Sequence, residues 1–410
     1  MDEFNTLDDF NFENKTVLLR VDFNMHLDKK TLTILDTTRM KLVIPTIKEL
    51  LNKNAKIVIL AHQGRKDSWD FISMDNHAKE LEQLLNKKVD YVDDIFGQKA
   101  KKQIKELNIG DILFLDNVRK IPYETLKKSA FEHSKSEFIQ ELYPISDVFV
   151  NDAFAAAHRS QCSLIGFTEV LPSCAGRLME KEIKQLNRIL KNPDKPSMFL
   201  FGGAKFSDAI ITIDHLLKNK IADNVLLTGL PANAFLKSLG YNMGEKTEKL
   251  LLLEEETNSL NNIKKIYLNH KNSIHLPIDF AICHSNKRLE IDLKDLPSNY
   301  HLFDIGEKTI KKYNKILGEA KTIFLSGPCG VFEKKIFQKG TKDIFNYIAN
   351  SNAYSIAGGG HTVAAIEKLD LTKNISHIST GGGSLEKFII GDKLAVIEAL
   401  KKSKKLIQFS

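Results

Sequence analysis

Charged side chains follow several short apolar runs in the first half of the chain, and arginine recurs among them. The segments are 21–24 (VDFN), 61–65 (AHQGR), 116–119 (DNVR) and 151–159 (NDAFAAAHR). Guanidinium groups bind phosphate or carboxylate through paired hydrogen bonds. This half of the chain is therefore predicted to bind an anionic ligand through side-chain charge.

Glycine takes the place of arginine after the apolar runs of the second half. The segments are 202–206 (GGAKF), 228–233 (TGLPAN), 326–333 (SGPCGVFE), 358–362 (GGGHT) and 379–383 (STGGG). Glycine-rich turns at helix starts let backbone amides approach the phosphates of a nucleotide. Either glycine triplet alone is more often a helix cap or a flexible turn, and neither a GxxxxGK[ST] loop nor a GxGxxG fingerprint with a matching acid is present. From the arginine segments of the first half and the glycine segments of the second half together, we infer two phosphorylated ligands that face each other.

The elements that position these residues are short apolar runs alternating with helical patterns, which predicts parallel sheets. We predict an α/β fold of two domains, each a parallel sheet with helices on both faces. Ligands of such sheets bind outside the carboxyl ends of the strands, where the polar segments lie. The predicted strands are 16–21, 56–60, 112–115 and 148–150 in the first half, and 198–201, 225–227, 274–278, 322–325 and 353–356 in the second.

Composition excludes several classes of protein. With 410 residues, 42% hydrophobic and 27% charged, the chain is that of an ordinary globular protein of more than one domain. The net charge of +7 is spread along the chain, so it predicts no nucleic-acid surface. The four cysteines form no CxxC pair, the first residues are acidic, and no apolar run reaches membrane-spanning length. We expect a cytoplasmic protein with no membrane partner.

Ten segments in order along the chain resemble the phosphoglycerate kinase family, and several look most like its archaeal branch. They are RVDFN, HQGR, NVR, NDAFAAAHR, GGAK, LPIDF, DIGEKT, GPCGVFE, GGGHT and STGGG. The resemblance implies a 3-phosphoglycerate-binding domain at 1–175, a hinge helix at 176–192, a nucleotide-binding domain at 193–385 and a segment at 386–410 that returns toward the first domain. The active site would lie in the cleft between the domains.

The resemblance also implies the residues that hold each ligand. Those expected to bind 3-phosphoglycerate are Asp22, Asn24, Arg39, His62, Arg65, Arg119 and Arg159. Those expected to bind ATP or ADP are Gly202, Gly203, Lys205, Gly229, Glu333, Gly359, Gly360, His361 and Thr362. Singly, Asp22, Asn24 and His62 are as well explained by turn chemistry or by a core histidine.

The implied reaction is reversible phosphoryl transfer between ATP and the carboxylate of 3-phosphoglycerate, giving ADP and 1,3-bisphosphoglycerate in glycolysis or gluconeogenesis. Arg39, Lys205 and the amides of Gly381 and Gly382 would stabilise the transferring group. The nucleophile is an ionised carboxylate, so no general base is required, and closure of the cleft would exclude water. Mg²⁺ is expected as the metal–nucleotide complex, and the protein as a monomer or homodimer.

Four positions depart from the family pattern. His361 stands where many members have the aspartate that helps hold the metal, and an imidazole is a poor ligand for Mg²⁺. Ala209 replaces a second lysine, Ser326 a usual asparagine and Lys120 a usual aromatic residue. Asp208 is the candidate substitute carboxylate. The alternative hypothesis is a regulatory homologue that binds both ligands with weakened catalysis.

Overall fold

The structure is a computed structural model that describes residues 3–204, 206–252 and 259–407. The chain divides into two compact units. The first contains Met1–Lys184 and Lys393–Ser410, and the second contains Gln185–Asp392. No helix in the described ranges has the length and apolar character needed to cross a membrane.

The first unit is built on a six-stranded parallel sheet in the order β3-β4-β2-β1-β5-β6. Its elements in chain order are β1 (Thr16–Arg20), α1 (Thr38–Asn52), β2 (Lys56–Leu60), α2 (Asp75–Leu85), β3 (Asp90–Tyr91), α3 (Gln98–Glu106), β4 (Ile112–Phe114), α4 (Ala130–Ser134), α5 (Glu137–Leu142), β5 (Val148–Asn151), α6 (Cys162–Ile165) and β6 (Ser173–Ala175). The next helix, α7 (Arg177–Leu190), begins in the first unit and ends in the second, which starts at Gln185.

Both faces of this sheet are buried, because successive side chains of a strand point to opposite faces. Val17 and Leu19 of β1 belong to one apolar cluster, whereas Leu18 belongs to another on the opposite face. The central strands therefore form continuous apolar runs, which is the pattern that predicted them. The chain continues from β1 to β2 on one side of β1 and later adds β5 on its other side, so β1 lies at the topological switch point of the sheet. The polar segments that follow β1, β2 and β5 therefore lie together at the carboxyl ends of these strands.

The second unit contains another six-stranded parallel sheet, in the order β15-β14-β13-β7-β8-β9. Its elements are β7 (Ser197–Phe201), α8 (Ser207–Lys218), β8 (Asn224–Leu227), α9 (Gly229–Ser238), α10 (Glu245–Leu252), α11 (Ser259–Asn269), β9 (Ile274–His275), β10 (Asp279–His284), β11 (Lys287–Asp292), β12 (Asp304–Ile305), α12 (Glu307–Leu317), β13 (Thr322–Ser326), α13 (Lys339–Ala349), β14 (Tyr354–Gly358), α14 (Gly360–Lys368), β15 (His377–Ile378) and α15 (Gly383–Ile389).

A three-stranded antiparallel sheet, in the order β11-β10-β12, accompanies the parallel sheet of the second unit. The apolar pattern of the sequence did not predict this antiparallel sheet. β11 is largely exposed and β12 has two residues, so neither provides the apolar run that marks a buried strand. The α/β fold with parallel sheets is confirmed, and this sheet is an addition to it.

The last helix, α16 (Ala395–Ile407), belongs to the first unit. Val396 and Leu400 are fully buried, and the Val396 amide donates to the Ala157 carbonyl at 3.0 Å. The first unit is therefore discontinuous in the chain, since its final helix follows the whole of the second unit.

The helix that leads from one unit to the other, α7, begins on a buried carboxylate of the first unit. Asp152 accepts hydrogen bonds from the Met179 amide at 2.8 Å and from the Thr46 hydroxyl at 2.6 Å. The same hydroxyl accepts from the Arg177 amide at 2.9 Å. Burial raises the pKa of Asp152 to about 7, and these bonds oppose the shift. Side chains from distant segments thus satisfy the free amides of the first turn of α7.

Candidate active site

A buried arginine and a buried histidine lie at the bottom of the candidate anion site in the first unit. Arg20, the last residue of β1, is fully buried and donates from Nε to the Ser163 hydroxyl at 2.8 Å. Its Nη2 lies 3.2 Å from Nδ1 of His62, which directly follows β2. The two strands are neighbours in register, so their carboxyl ends bring these side chains together.

Asp22 and Arg39 form an ion pair beside this buried arginine and histidine. Arg39 Nη1 donates to Asp22 Oδ2 at 2.6 Å, and Asp22 Oδ1 lies 4.0 Å from Nε2 of His62. Arg39 is the second residue of α1, and 39% of its side chain is exposed. Burial acts to raise the pKa of Asp22, but His62 and Arg39 outweigh it and the pKa is lowered. The carboxylate is thus ionised and orients a guanidinium that remains accessible to a ligand.

Asn24 and Arg119 meet on the turn that follows β2. The Gly64 amide donates to Asn24 Oδ1 at 2.9 Å, and Arg119 Nη1 donates to the Gly64 carbonyl. Arg119 Nε is buried with no hydrogen-bond partner among the described residues. Burial lowers the pKa of Arg119 to about 10, with Arg159 and Arg20 acting in the same direction.

The two remaining predicted arginines differ in their surroundings. Arg159 Nε lies 3.3 Å from Nε2 of His158, and its charge lowers the pKa values of Arg20, Arg119 and His62. It therefore belongs to the same cluster. Arg65 is exposed at the end of the segment after β2. Like charges held this close repel one another, so an anionic ligand would relieve the repulsion.

Arg20 and its counter-charge, Glu124, were not among the site residues predicted from the sequence. Glu124 is fully buried and accepts from the Ser163 amide at 2.8 Å and hydroxyl at 2.6 Å. Burial raises its pKa, and the charge of Arg20 opposes that shift. An arginine ending an apolar strand is a recognisable signal of a buried charge. No motif surrounds Glu124, so its role follows only from the three-dimensional structure.

His62 gives the first unit a measurable pH dependence. Burial lowers its pKa well below the usual value, Asp22 opposes this shift, and Arg20 and Arg119 reinforce it. The unfolded chain binds a proton at His62 below about pH 6.5, whereas the folded protein does not. We therefore expect His62 to lower the free energy of unfolding of the ligand-free protein as the pH decreases, by up to about 1.4 kcal/mol per pH unit. Asp152, whose pKa is raised to about 7, contributes in the opposite direction, so the His62 contribution is measured by substitution.

Urea unfolding at pH 5.5 and 7.5 measures this effect. The free energy of unfolding at pH 5.5 minus that at pH 7.5 should be more positive in His62→Asn than in the parent protein, and the exposed His26→Asn should leave this difference unchanged. His77 continues to contribute in both variants, because burial also lowers its pKa, to about 4. An identical pH dependence in His62→Asn and the parent protein would contradict the assignment.

Glycines line a cavity of about 420 Å³ in the second unit. The predicted residues on its wall are Gly202, Gly203, Gly359, Gly360, His361, Thr362 and Gly382. Gly359 is the N-cap of α14 and Gly360 is its first residue, and Thr362 Oγ1 accepts from the Gly327 amide at 2.7 Å. This cavity has the backbone character expected of a phosphate site.

A second cavity of about 270 Å³ is mostly apolar and is bordered by Gly203, Gly229, Glu333 and His361. Gly229 has φ +58°, and a Cβ there would lie 2.6 Å from the Gly203 carbonyl oxygen, so a side chain is excluded. The volume and the apolar lining of this second cavity suit a nucleoside. His361 and Gly203 border both cavities, so the two are adjacent.

His361 and Glu333 lie beside the junction of the two cavities. His361 Nδ1 lies 3.9 Å from Glu333 Oε1, and both side chains are largely exposed. The Gly381 amide donates to the Ser379 hydroxyl at 3.1 Å, and Gly382 is the member of that triplet that borders the cavity. Lys205 lies outside the described residues.

No group of three or more histidine, cysteine, aspartate or glutamate side chains within the described ranges could hold a metal ion. Asp208 and Glu386 border the glycine-lined cavity with His361. Isolated carboxylates of this kind fit a metal that is carried mainly by nucleotide phosphates and water, which is how Mg²⁺ usually binds.

An α/β protein with an arginine site in one unit and a glycine-lined cavity in the other has the architecture of a two-domain phosphotransferase. The family model described as phosphoglycerate kinase matches residues 7–392. The phosphoglycerate kinase of Methanobacterium bryantii is 47% identical over 98% of each chain. The crystal structure of phosphoglycerate kinase from Pyrococcus horikoshii has a TM-score of 0.88 at 40% identity, covering 97% of this chain and 99% of that one. The structure of phosphoglycerate kinase from Coxiella burnetii has a TM-score of 0.85 at 32% identity and the same coverage.

The chain belongs to the phosphoglycerate kinase family. It is a kinase whose substrates are ATP or ADP and a phosphoglycerate, and the reaction is a step of glycolysis. The resemblance found in the sequence, including its similarity to archaeal members, is confirmed. Which residues bind each substrate stays a prediction.

Proposed function

We propose that the first unit binds 3-phosphoglycerate through Asp22, Asn24, Arg39, His62, Arg65, Arg119 and Arg159. The observation that carries this proposal is the cluster of Arg20, Arg119 and Arg159. The charge of Arg159 lowers the pKa values of Arg20 and Arg119, and the charge of Arg20 also lowers that of Arg119. Such a cluster is strained without an anion and stable with one. Phosphate and carboxylate groups are the anions that guanidinium forks match.

The proposed nucleotide site is the pair of adjacent cavities in the second unit. The apolar cavity would take the base, and Glu333 would accept from the ribose hydroxyls. Gly202, Gly203, Gly229 and the segment 359–362 would present backbone amides to the phosphates. His361 would donate to a phosphate oxygen, a role that its position beside both cavities supports.

Catalysis in this proposal consists of positioning and charge stabilisation. The acceptor carboxylate is already ionised, so the protein supplies no general base. Arg39, Lys205 and the amides of Gly381 and Gly382 would stabilise charge on the transferring phosphoryl group. Transfer requires the two ligand sites to meet, and α7 is the helix about which we expect this movement.

Mg²⁺ would bind together with the nucleotide, and when bound it would neutralise part of the phosphate charge. Asp208 is the residue proposed to approach the metal–nucleotide complex, because it borders the glycine-lined cavity. The proposed enzyme is cytoplasmic and acts as a monomer or homodimer.

A coupled assay on the purified protein tests the function. ADP release is followed with ATP, Mg²⁺ and 3-phosphoglycerate, and a control reaction omits the acid. Acid-dependent turnover is the expected result. Calorimetric binding of both ligands without turnover would instead support the regulatory alternative.

His361→Asp is expected to lower the Mg²⁺ concentration required for half-maximal activity by about 3-fold to 10-fold. The substitution adds an oxygen ligand, which Mg²⁺ prefers to imidazole. The measurement is a Mg²⁺ titration at fixed ATP, with His361→Asn as the neutral control. An unchanged or increased Mg²⁺ requirement in His361→Asp would show that position 361 does not approach the metal.

A further inference from the structure

Two peptide segments form one wall of the apolar cavity in the second unit. One is 302–305, which runs into β12, and the other is 328–333, which carries Glu333. The Val331 amide donates to the Phe303 carbonyl at 2.7 Å, and the Cys329 amide donates to the Thr341 hydroxyl at 3.0 Å. The shape of this wall therefore depends on how β12 is held.

A buried carboxylate, that of Asp304, joins the first wall segment to α13 and packs against the second segment at Gly330. Its Oδ2 accepts from the Gly340 amide of α13 at 2.8 Å, and its Oδ1 accepts from the Ile305 amide at 2.9 Å. A Cβ at Gly340 would lie 2.2 Å from Asp304 Oδ1, and one at Gly330 would lie 2.6 Å from the same atom. Because neither glycine has a side chain, the backbone at both positions can pack directly against the Asp304 carboxylate.

The counter-charge of Asp304 comes from the other edge of the antiparallel sheet. Arg288 lies on β11, and its guanidinium reaches past the central strand β10 to β12. It donates from Nη1 to Asp304 Oδ2 at 2.7 Å and from Nη2 to the Ile305 carbonyl at 2.8 Å. Arg288 does not border the cavity itself, whereas Asp304 and Ile305 do.

The ion pair is buried, which makes it sensitive to the loss of either partner. The Asp304 side chain is inaccessible to solvent and that of Arg288 is 15% exposed. Burial raises the pKa of Asp304 to about 6, and the Gly340 amide and Arg288 oppose the shift. Removal of Arg288 leaves an uncompensated charge inside the unit, which is far more disruptive than loss of an exposed pair.

We propose that Arg288 and Asp304 are a positioning pair that fixes the nucleoside wall of the cavity and so sets affinity for the nucleotide. Neither residue contacts the reacting atoms; they act through segment 328–333, including Glu333. This inference rests on the proposed nucleotide site in the second unit. Turnover at saturating nucleotide depends on other groups, so the pair affects the KM for ATP and leaves kcat largely unchanged.

Calorimetric titration of the full chain with ADP, and separately with 3-phosphoglycerate, tests the pair. Arg288→Met should weaken ADP binding by about 10-fold, while affinity for 3-phosphoglycerate stays within about 2-fold. Arg288→Lys retains the charge and should recover most of the ADP affinity. The double variant Arg288→Met with Asp304→Asn should bind ADP more tightly than Arg288→Met alone, because it no longer buries an unpaired carboxylate.

Lys308→Met is the matched control, since Lys308 makes an exposed ion pair at 2.6 Å with Asp292 of the same strand β11. It should bind ADP like the parent protein. If Arg288→Met does not fold, Asp304→Asn is measured in its place, and its ADP affinity is compared with that of Lys308→Met. Asp304→Asn also breaks the ion pair, and asparagine has nearly the same volume as aspartate.

Equal ADP affinity in Arg288→Met and Lys308→Met would overturn the positioning role while leaving the nucleotide site standing. Parallel loss of both ligands would also overturn it, because that result indicates general destabilisation. Absence of ADP binding to the parent protein would instead refute the nucleotide site, and the positioning pair with it.

Discussion

Arg39→Ala is expected to lower kcat by at least about 100-fold, the range found when one preorganised donor to a transition state is removed. Asp22 orients this guanidinium through a 2.6 Å ion pair, and its partly exposed position leaves donors available to a ligand. The Arg39 side chain is partly exposed, and Asp22 still accepts from the Asn24 amide at 3.1 Å when Arg39 is replaced, so the variant should remain folded.

Steady-state kinetics of Arg39→Ala, Arg39→Lys and Lys41→Ala measure the effect. Arg39→Lys keeps the charge and loses the fork, so an intermediate rate is expected. Lys41 lies two residues further along α1 and is exposed, and its replacement should not change kcat. A common loss of rate in all three variants would point to damage to α1 and not to a missing catalytic donor.

Lys205→Ala is the second substitution with a large expected effect, a decrease in kcat of about 100-fold or more. Among the described residues that border the two cavities, none is lysine or arginine, whereas four are acidic: Asp208, Asp304, Glu333 and Glu386. Phosphates entering such a site need a cation, and Lys205 directly follows Gly203 and Ala204, which border both cavities.

The control for this substitution is Lys218→Ala on α8, whose side chain is exposed and paired with Asp214 at 2.6 Å. Pre-steady-state measurement at saturating ATP separates the chemical step from binding. Near-normal rates in both Arg39→Ala and Lys205→Ala would refute the assignment of catalytic residues as a whole.

The parallel strands and the polar segments after them could be predicted because one physical rule links them. Strands buried on both faces must be apolar throughout, and the chain becomes polar where each strand ends. Every strand predicted from an apolar run overlaps an observed strand, although the run 274–278 is reduced to Ile274–His275. Short edge strands such as β3 and β15 were missed, since two residues carry no periodicity.

Buried charges were the part of the site that sequence alone could not supply. Glu124 meets Arg20 across a separation of more than a hundred residues, and Arg288 meets Asp304 across an intervening strand. Neither pair produces a local sequence motif, because the two partners are distant in sequence and each is needed only to neutralise the other's charge in the fold. Asp304 was visible as part of a motif, but its partner was not.

The discontinuity of the first unit affects the order in which the two units can complete their folding during synthesis. Val396 and Leu400 of α16 complete its core, yet the ribosome makes them only after all of residues 185–392. A nascent chain that already contains β1 to β6 therefore keeps the apolar surface that α16 later covers in contact with solvent. The second unit, which is continuous in sequence, can acquire its full set of contacts before the first unit does.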